Sequence, residues 1–336
     1  MLWLLAPPIL ILNAYLGLKT GGLGSWSGVL LPYVILPILE TTLESLGGPS
    51  WRKGQSWIRE PWATANLVAV AALLTVFYAW CVAQIPTRHG SEFVALVFVC
   101  GSIMGILGIT LAHELVHRTN AHLQRLGLWL LLLVNFPHWA TEHVHGHHRH
   151  VATPKDPATA RRDEWLYTYW MRSYWGGFRS AQAILLAREP LFWVRAWVTW
   201  LAPAAQVAAL TLFFGLPGFL FAVGQSVVAI ALLQTVDYIE HYGLLREVTK
   251  EGFGPVGAEH SWDWYGGVSN SLLFGLGFHA NHHLKPRVPY QDLQPLPNAR
   301  HMPYGYPAMV LLALIPPVFH RSMKKKGRLP SEPSLS

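Results

Sequence analysis

Charge is scarce in this chain. Asp, Glu, Lys and Arg together make up 13% of its 336 residues, about half the share carried by a soluble domain. Hydrophobic residues make up 52%, and the mean hydropathy is positive. A surface facing water needs more charge, so the two or three soluble domains that length alone would allow are excluded. Cysteine is scarcer still. Cys81 and Cys100 are the only two, and each lies inside an apolar run, where a thiol packs as a small hydrophobe. They exclude a disulfide scaffold, a zinc ribbon, an iron–sulfur cluster and a rubredoxin-like CxxC pair. The chain also lacks a flavin or dinucleotide motif and a CxxCH haem attachment. With 16 Trp, it is too aromatic and too regular in pattern to be disordered. An all-α integral membrane protein is the reading that survives.

Six stretches approach the roughly 20 apolar residues that a membrane helix needs: 2–18, 29–43, 63–85, 93–112, 192–216 and 219–239. The second is short and interrupted by Pro32 and Pro37, which membrane helices tolerate. The N-terminus has neither a positively charged lead nor a small-residue cleavage site, so the first stretch is read as a retained span. Six transmembrane helices put both termini on one side. The other side then holds the loops 19–28, 86–92 and 217–218, with only Lys19 and Arg88 among 25 Lys and Arg residues. By the positive-inside rule the termini are cytosolic. The basic excess, +7 overall, lies on that face and can meet headgroups of the lipid bilayer or an acidic partner protein. Nothing in it points to nucleic acid. The run 126–136 is too short to cross and is read as a helix on, or dipping into, the membrane face. The piece 306–319, with Pro307, Pro316 and Pro317, is read as interfacial, and 325–336 as a disordered tail. Residues 1–336 are expected to form a single membrane-embedded domain.

Against this poverty of charge stand 17 histidines. Nine fall in four places on the cytosolic side: His113 and His117 in HELVH, His143, His147 and His148 in EHVHGHH, His241 in DYIEHYG, and His279, His282 and His283 in HANHH. Residues four apart share a helix face, so pairs such as His113 and His117 can reach one metal region. HExxH alone would suggest a zinc protease, but such a site does not need three further histidine groups. Nine neutral imidazoles suit iron, zinc or copper. Two metal ions with four or five ligands each would use them all, in a di-metal cap at the mouth of a lipid-accessible cavity. His241 has no partner at helical spacing. It is included because it follows the last span at the depth where His113 follows the fourth. The other eight are left out: His89 lies on the opposite face, His122, His138, His260, His301 and His320 are isolated, and His145 and His150 are out of phase. Glu114, Glu142, Asp156, Asp237 and Glu240 adjoin the ligand motifs. They are the candidates to accept the second ring N–H of a ligating histidine. Two rival classes are a non-oxygenase enzyme, such as a zinc hydrolase, and a metal transporter. A transporter would place its ligands near the bilayer midplane, whereas these gather at one end.

At these motifs the sequence resembles the membrane-bound alkane monooxygenases, part of the histidine-rich di-iron superfamily that includes the membrane fatty acid desaturases. The resemblance runs from about residue 111 onward, through HELVH, EHVHGHHRHVATPKDPA, LLQTVDYIEHYGLLRE, EHSW, SNSLLF, HANHHLKP, YQDL and GYPAMVLLALIPP. DYIEHYGL separates this family from ordinary desaturases. Arg118 stands where the family usually has Lys, Asp237 where it has Asn, and 261–267 match poorly. The resemblance implies two non-heme iron ions held by the nine histidines, with O2 as co-substrate. It implies hydroxylation of the terminal methyl group of an alkane dissolved in the membrane. It also implies a bacterial inner (plasma) membrane and electrons from a rubredoxin, or a ferredoxin in the aryl-methyl branch, with its reductase. Related enzymes act on aryl methyl groups, and others in the superfamily desaturate or decarboxylate fatty acids.

Overall fold

The computed structural model describes residues 2–46, 58–187, 197–250 and 252–325. Within them the protein is mostly helical. Five helices are long and apolar enough to cross a membrane: α2 (Gly22–Ser45), α3 (Glu60–Thr87), α4 (Gly90–Val116), α8 (Trp197–Phe214) and α9 (Leu216–His241). The N-terminal helix, α1 (Leu2–Thr20), is also apolar, with Pro7 and Pro8 in its first turns, but its stretch Leu4–Thr20 falls just short of the length of α8. The structure thus gives five full-length candidates where the sequence suggested six. The stretch read as 29–43 lengthens to Gly22–Ser45 because a helical run beginning at Gly22 leads into it. Of the fifth expected span, residues 192–196 lie outside the described residues, as does 326–336 of the expected tail.

The core is built on α4 and α9. Gly101 and Gly105 let these helices approach backbone to backbone: a Cβ on Gly101 would sit 2.5 Å from the Gln225 carbonyl oxygen, and one on Gly105 3.0 Å from Ala229 Cα. Small residues at a crossing are how membrane helices gain close packing without a hydrophobic drive from the lipid. Some polar groups inside this bundle pair across helices. The Gln225 side chain donates to the Leu133 carbonyl at 2.9 Å, and Tyr33 donates to Ser102 at 3.1 Å. Here too lie both cysteines, buried as expected. α8 is peripheral, with only 6% of its apolar window buried against 78% for α4.

The run expected on the membrane face is α5 (Ala121–Leu133), started by the Asn120 side chain, which accepts from the His122 backbone N–H at 2.8 Å. It packs back along α4. Next, His138–Glu142, His143–His147 and His148–His150 run on as one helix, α6, whose middle segment is a wide turn with i→i+5 bonding. α7 (Leu166–Leu186) lies over α6 and α9. The C-terminal part is mostly loop, with α10 (Gly267–Leu272), α11 (His279–Leu284), α12 (Tyr306–Ala313) and α13 (Pro316–Lys325). The expected piece 306–319 is therefore two helices, broken before Pro316. Two short strand pairings also occur. Val248–Thr249 pairs antiparallel with Gly252–Phe253, and Trp262–Asp263 pairs parallel with Arg300–His301.

Candidate metal centre

α4 and α9 end side by side, which brings HELVH next to DYIEHYG. α6 and α11 close over them. All nine sequence-predicted histidines come together, in two sets. His113, His117, His143, His148 and His282 form one; His147, His241, His279 and His283 form the other. Within each set the ring nitrogens lie within 4.8 Å of one another. The wide turn in α6 decides the division. In a regular helix His143 and His147 would share a face. The i→i+5 turn instead groups His143 with His148 and turns His147 to the other set, a use typical of such turns at functional sites.

The contacts within each set require a shared centre. His143 Nε2 lies 3.0 Å from His117 Nε2 and 3.1 Å from His148 Nε2, and His148 Nε2 lies 3.1 Å from His282 Nε2. In the second set, His279 Nε2 is 3.1 Å from His241 Nε2 and 3.0 Å from His283 Nε2. An imidazole nitrogen has one lone pair or one proton, so it can satisfy one hydrogen-bond partner, not two. His143, His148 and His279 each face two. His113 Nε2 and His147 Nε2 are buried and face no hydrogen-bonding partner among the described residues. A cation among these nitrogens resolves both features. With metal–nitrogen bonds of about 2.1 Å, neighbouring ligands at right angles sit about 3.0 Å apart and tetrahedral ones about 3.4 Å apart. The closest observed spacings, 3.0–3.1 Å, suit imidazole nitrogens that share one ion. Burial and the surrounding imidazoles hold His143, His148, His279, His282 and His283 well below the usual histidine range, and His117 at about 3. These rings are neutral at pH 7, with lone pairs free for a metal.

The five carboxylates differ in placement. Asp156 meets the expectation: its Oδ2 lies 2.9 Å from His147 Nδ1 and accepts from the Thr159 hydroxyl at 2.6 Å, while Oδ1 accepts from Ala158 N–H at 2.9 Å. Burial alone would lower His147, but Asp156 beside it raises it to about 9. Asp156 therefore holds a proton on Nδ1, and a bound metal would take the place of the second proton, on Nε2. Glu240 is placed differently. Its Oε2 lies 3.3 Å from His279 Nε2, the metal-facing nitrogen, and Oε1 accepts from the Tyr306 hydroxyl at 2.5 Å. Glu114 turns to Arg118 at 2.8 Å and to Tyr290 N–H, not to a ligand ring, because α4 presents it away from His113. Arg118 also bridges to Glu60 at the start of α3. Glu142 and Asp237 are buried beside the sets, and burial together with Asp156 pushes Glu142 up to about 8.

Three supporting residues escaped the sequence reading. Asp263 is fully buried and accepts from Ala280 N–H at 2.7 Å, pinning the start of α11. It lies in the stretch 261–267 that matched poorly, and its signal was an acid between two tryptophans. Tyr306 lies in GYPAMV, read only as an interfacial piece. Trp139 stacks on His143, with ring centroids 4.3 Å apart. Of the omitted histidines, His138 is packed among Phe136, Tyr174 and Phe178; neither it nor His145 or His150 belongs to a histidine set.

Two apolar spaces lead to the centre. A small inner cavity is bounded by His113, His143, His279, Trp139 and Glu240. A larger outer one lies between α2, α4, α9 and α12, with almost no polar atom facing it. Thr110, Leu233 and Val236 line both.

The fold and site therefore define a multi-pass membrane protein with a histidine-rich, non-heme metal centre. The fatty acid desaturase family model matches residues 91–312. Alkane 1-monooxygenase 2 of Pseudomonas aeruginosa is 31% identical, over 97% of this chain and 91% of that relative. Alkane 1-monooxygenase 1 of the same organism is 37% identical, over 68% of this chain and 62% of that relative. The xylene/toluene monooxygenase hydroxylase component of Pseudomonas putida is 25% identical over 66% of this chain. The chain belongs to the fatty acid desaturase family, as an oxidoreductase related to the alkane 1-monooxygenases.

Proposed function

We propose that the protein is a di-iron monooxygenase that hydroxylates the terminal methyl group of an alkane with O2 and electrons from a separate carrier. The observation that carries this reading is the meeting of two buried histidine sets with an apolar path. Five histidines would hold one iron and four the other. When bound, the iron supplies the oxidising power that an unactivated C–H bond demands. The chain's own residues do the rest. Asp156 keeps His147 in the tautomer that presents Nε2. Trp139 covers one face of His143. Thr110, Leu233 and Val236 pass the methyl end of the substrate from the outer cavity to the inner one, where water is excluded.

α1 completes six spans in this reading, with termini and histidines on the cytosolic side of a bacterial inner membrane. The carrier is a rubredoxin or a ferredoxin, whose acidic surface suits the basic cytosolic face. The 25% identity to the xylene/toluene enzyme supports a second reading, oxidation of an aryl methyl group. The test is product analysis on purified protein with O2, a reductant chain and a mixture of alkanes, aryl methyl compounds and fatty acids, beside elemental analysis. Terminal alcohols and two irons per chain are expected. One zinc without iron, or only desaturated products, overturns the proposal.

A further inference from the structure

A third cavity lies beneath α7 and differs in kind from the two on the apolar path. Its lining includes His138, Glu142, Ser173, Gln234 and Asp237, and a large part of the surface facing it is polar. All five side chains are buried. Glu142 Oε1 has no hydrogen-bond partner among the described residues. Buried polar groups of this kind hold ordered water, provided the space is polar and large enough, and this one has room for about one molecule. Trp139 and Asp237 line both this cavity and the inner cavity at the histidines. The two spaces therefore share a wall at the metal centre.

The monooxygenase reaction needs such a space. One atom of O2 enters the C–H bond, and the other leaves as water after taking up two protons and the two electrons of the carrier. An apolar path lined by Leu233 and Val236 can deliver an alkane but not a proton. We propose that the cavity beneath α7 is a narrow polar conduit that brings protons to the metal centre and lets product water leave, apart from the substrate path. The proposal rests on the monooxygenase reading for the chemistry it serves, and on Trp139 and Asp237 for its connection to the centre.

Gly177 offers a way to close the conduit. A Cβ there would meet only Glu142 Cγ, at 3.8 Å, an ordinary contact, so a larger side chain extends into the cavity. Gly177→Leu is compared with Gly177→Ala and the parent protein, each loaded with iron. Two measurements are made: the rate at which azide, a small polar anion, perturbs the optical spectrum of the resting centre, and the ratio of turnover rates in H2O and D2O. Gly177→Leu is expected to retain its iron, slow azide binding tenfold or more and raise the isotope ratio, with Gly177→Ala near the parent. Iron-loaded Gly177→Leu with parental azide kinetics and isotope ratio overturns the conduit. Should that variant lose iron, Gln234→Leu, which removes a polar wall, makes the same test: slowed azide binding supports the conduit and parental kinetics overturn it. The parent protein's iron content and products report on the function itself, so the two failures are distinguishable.

Discussion

Asp156→Asn isolates what a single carboxylate does for the metal centre. The Asp156 carboxylate takes three donors: His147 Nδ1 and the Thr159 hydroxyl on one oxygen, Ala158 N–H on the other. An asparagine of the same shape has one oxygen and one NH2. If the NH2 faces Ala158, two donors collide. If it faces His147, the ring must present a lone pair at Nδ1, which moves its proton to Nε2 and removes a ligand from the second set. Both outcomes weaken metal binding. Losing a partner that orients a ligating histidine lowers affinity about 10–100-fold, which is about 1.4–2.7 kcal/mol. Leaving a buried donor unpaired adds about 1–3 kcal/mol of destabilisation to the metal-free protein. The assay is chelator competition on iron-loaded protein, with metal per chain counted at each chelator concentration. Asp156→Asn should release iron from the four-histidine set first. Because Asp156 acts through His147, adding His147→Ala should cost little more, a non-additivity that a double-mutant cycle reads directly. Parental chelation by Asp156→Asn, or full additivity with His147→Ala, refutes the argument.

His241→Ala should lower metal content and abolish hydroxylation while the protein stays folded in the membrane; full iron with near-normal turnover would remove His241 from the ligands. Gly101→Ala should destabilise the bundle by about 1–3 kcal/mol, the usual range for an overpacked core, because its Cβ would lie 2.5 Å from the Gln225 carbonyl; an unchanged melting temperature in detergent contradicts that close crossing. Burial holds His138 at about 4 against 6.5 when unfolded. The unfolded chain therefore takes up this proton first as pH falls, and stability present above pH 6.5 is lost toward pH 4, by about 3 kcal/mol. His138→Phe, which suits the aromatic surroundings, should flatten thermal inactivation over that range, and an unaltered pH profile counts against it. Labelling in sealed vesicles should find Lys324 on the cytosolic side, with the histidine sets; labelling from outside the cell overturns the six-span topology.

Much of this was legible along the chain because membrane insertion is a local property. Twenty apolar residues specify a span whatever surrounds them, so α3, α4 and α9 lie close to where composition put them. α2 was underestimated because the run opening at Gly22 is rich in Gly and Ser, which weakens its hydropathy. The nine histidines were legible for a related reason: an imidazole at a membrane boundary needs a partner, and three dense motifs announced one.

What the sequence alone determined was the class of solvent, most of the helices that meet it and the nine histidines that gather in two sets. Tertiary structure decided how those side chains divide. Helical spacing pairs His143 with His147, and only the wide turn of α6 sends them to different sets. Proximity in sequence made Glu114, Glu142, Asp156, Asp237 and Glu240 look equivalent, yet Asp156 meets the Nδ1 side of a ligand ring, Glu240 the metal-facing side of another, and Glu114 an arginine. Tyr306 meets Glu240 from 66 residues away in sequence, a pairing that no local pattern marks. A repeat of 3.6 residues reports which way a side chain points from its own helix; what it meets there depends on the helix packed opposite, and here the close crossing of α4 and α9 brought the parts together.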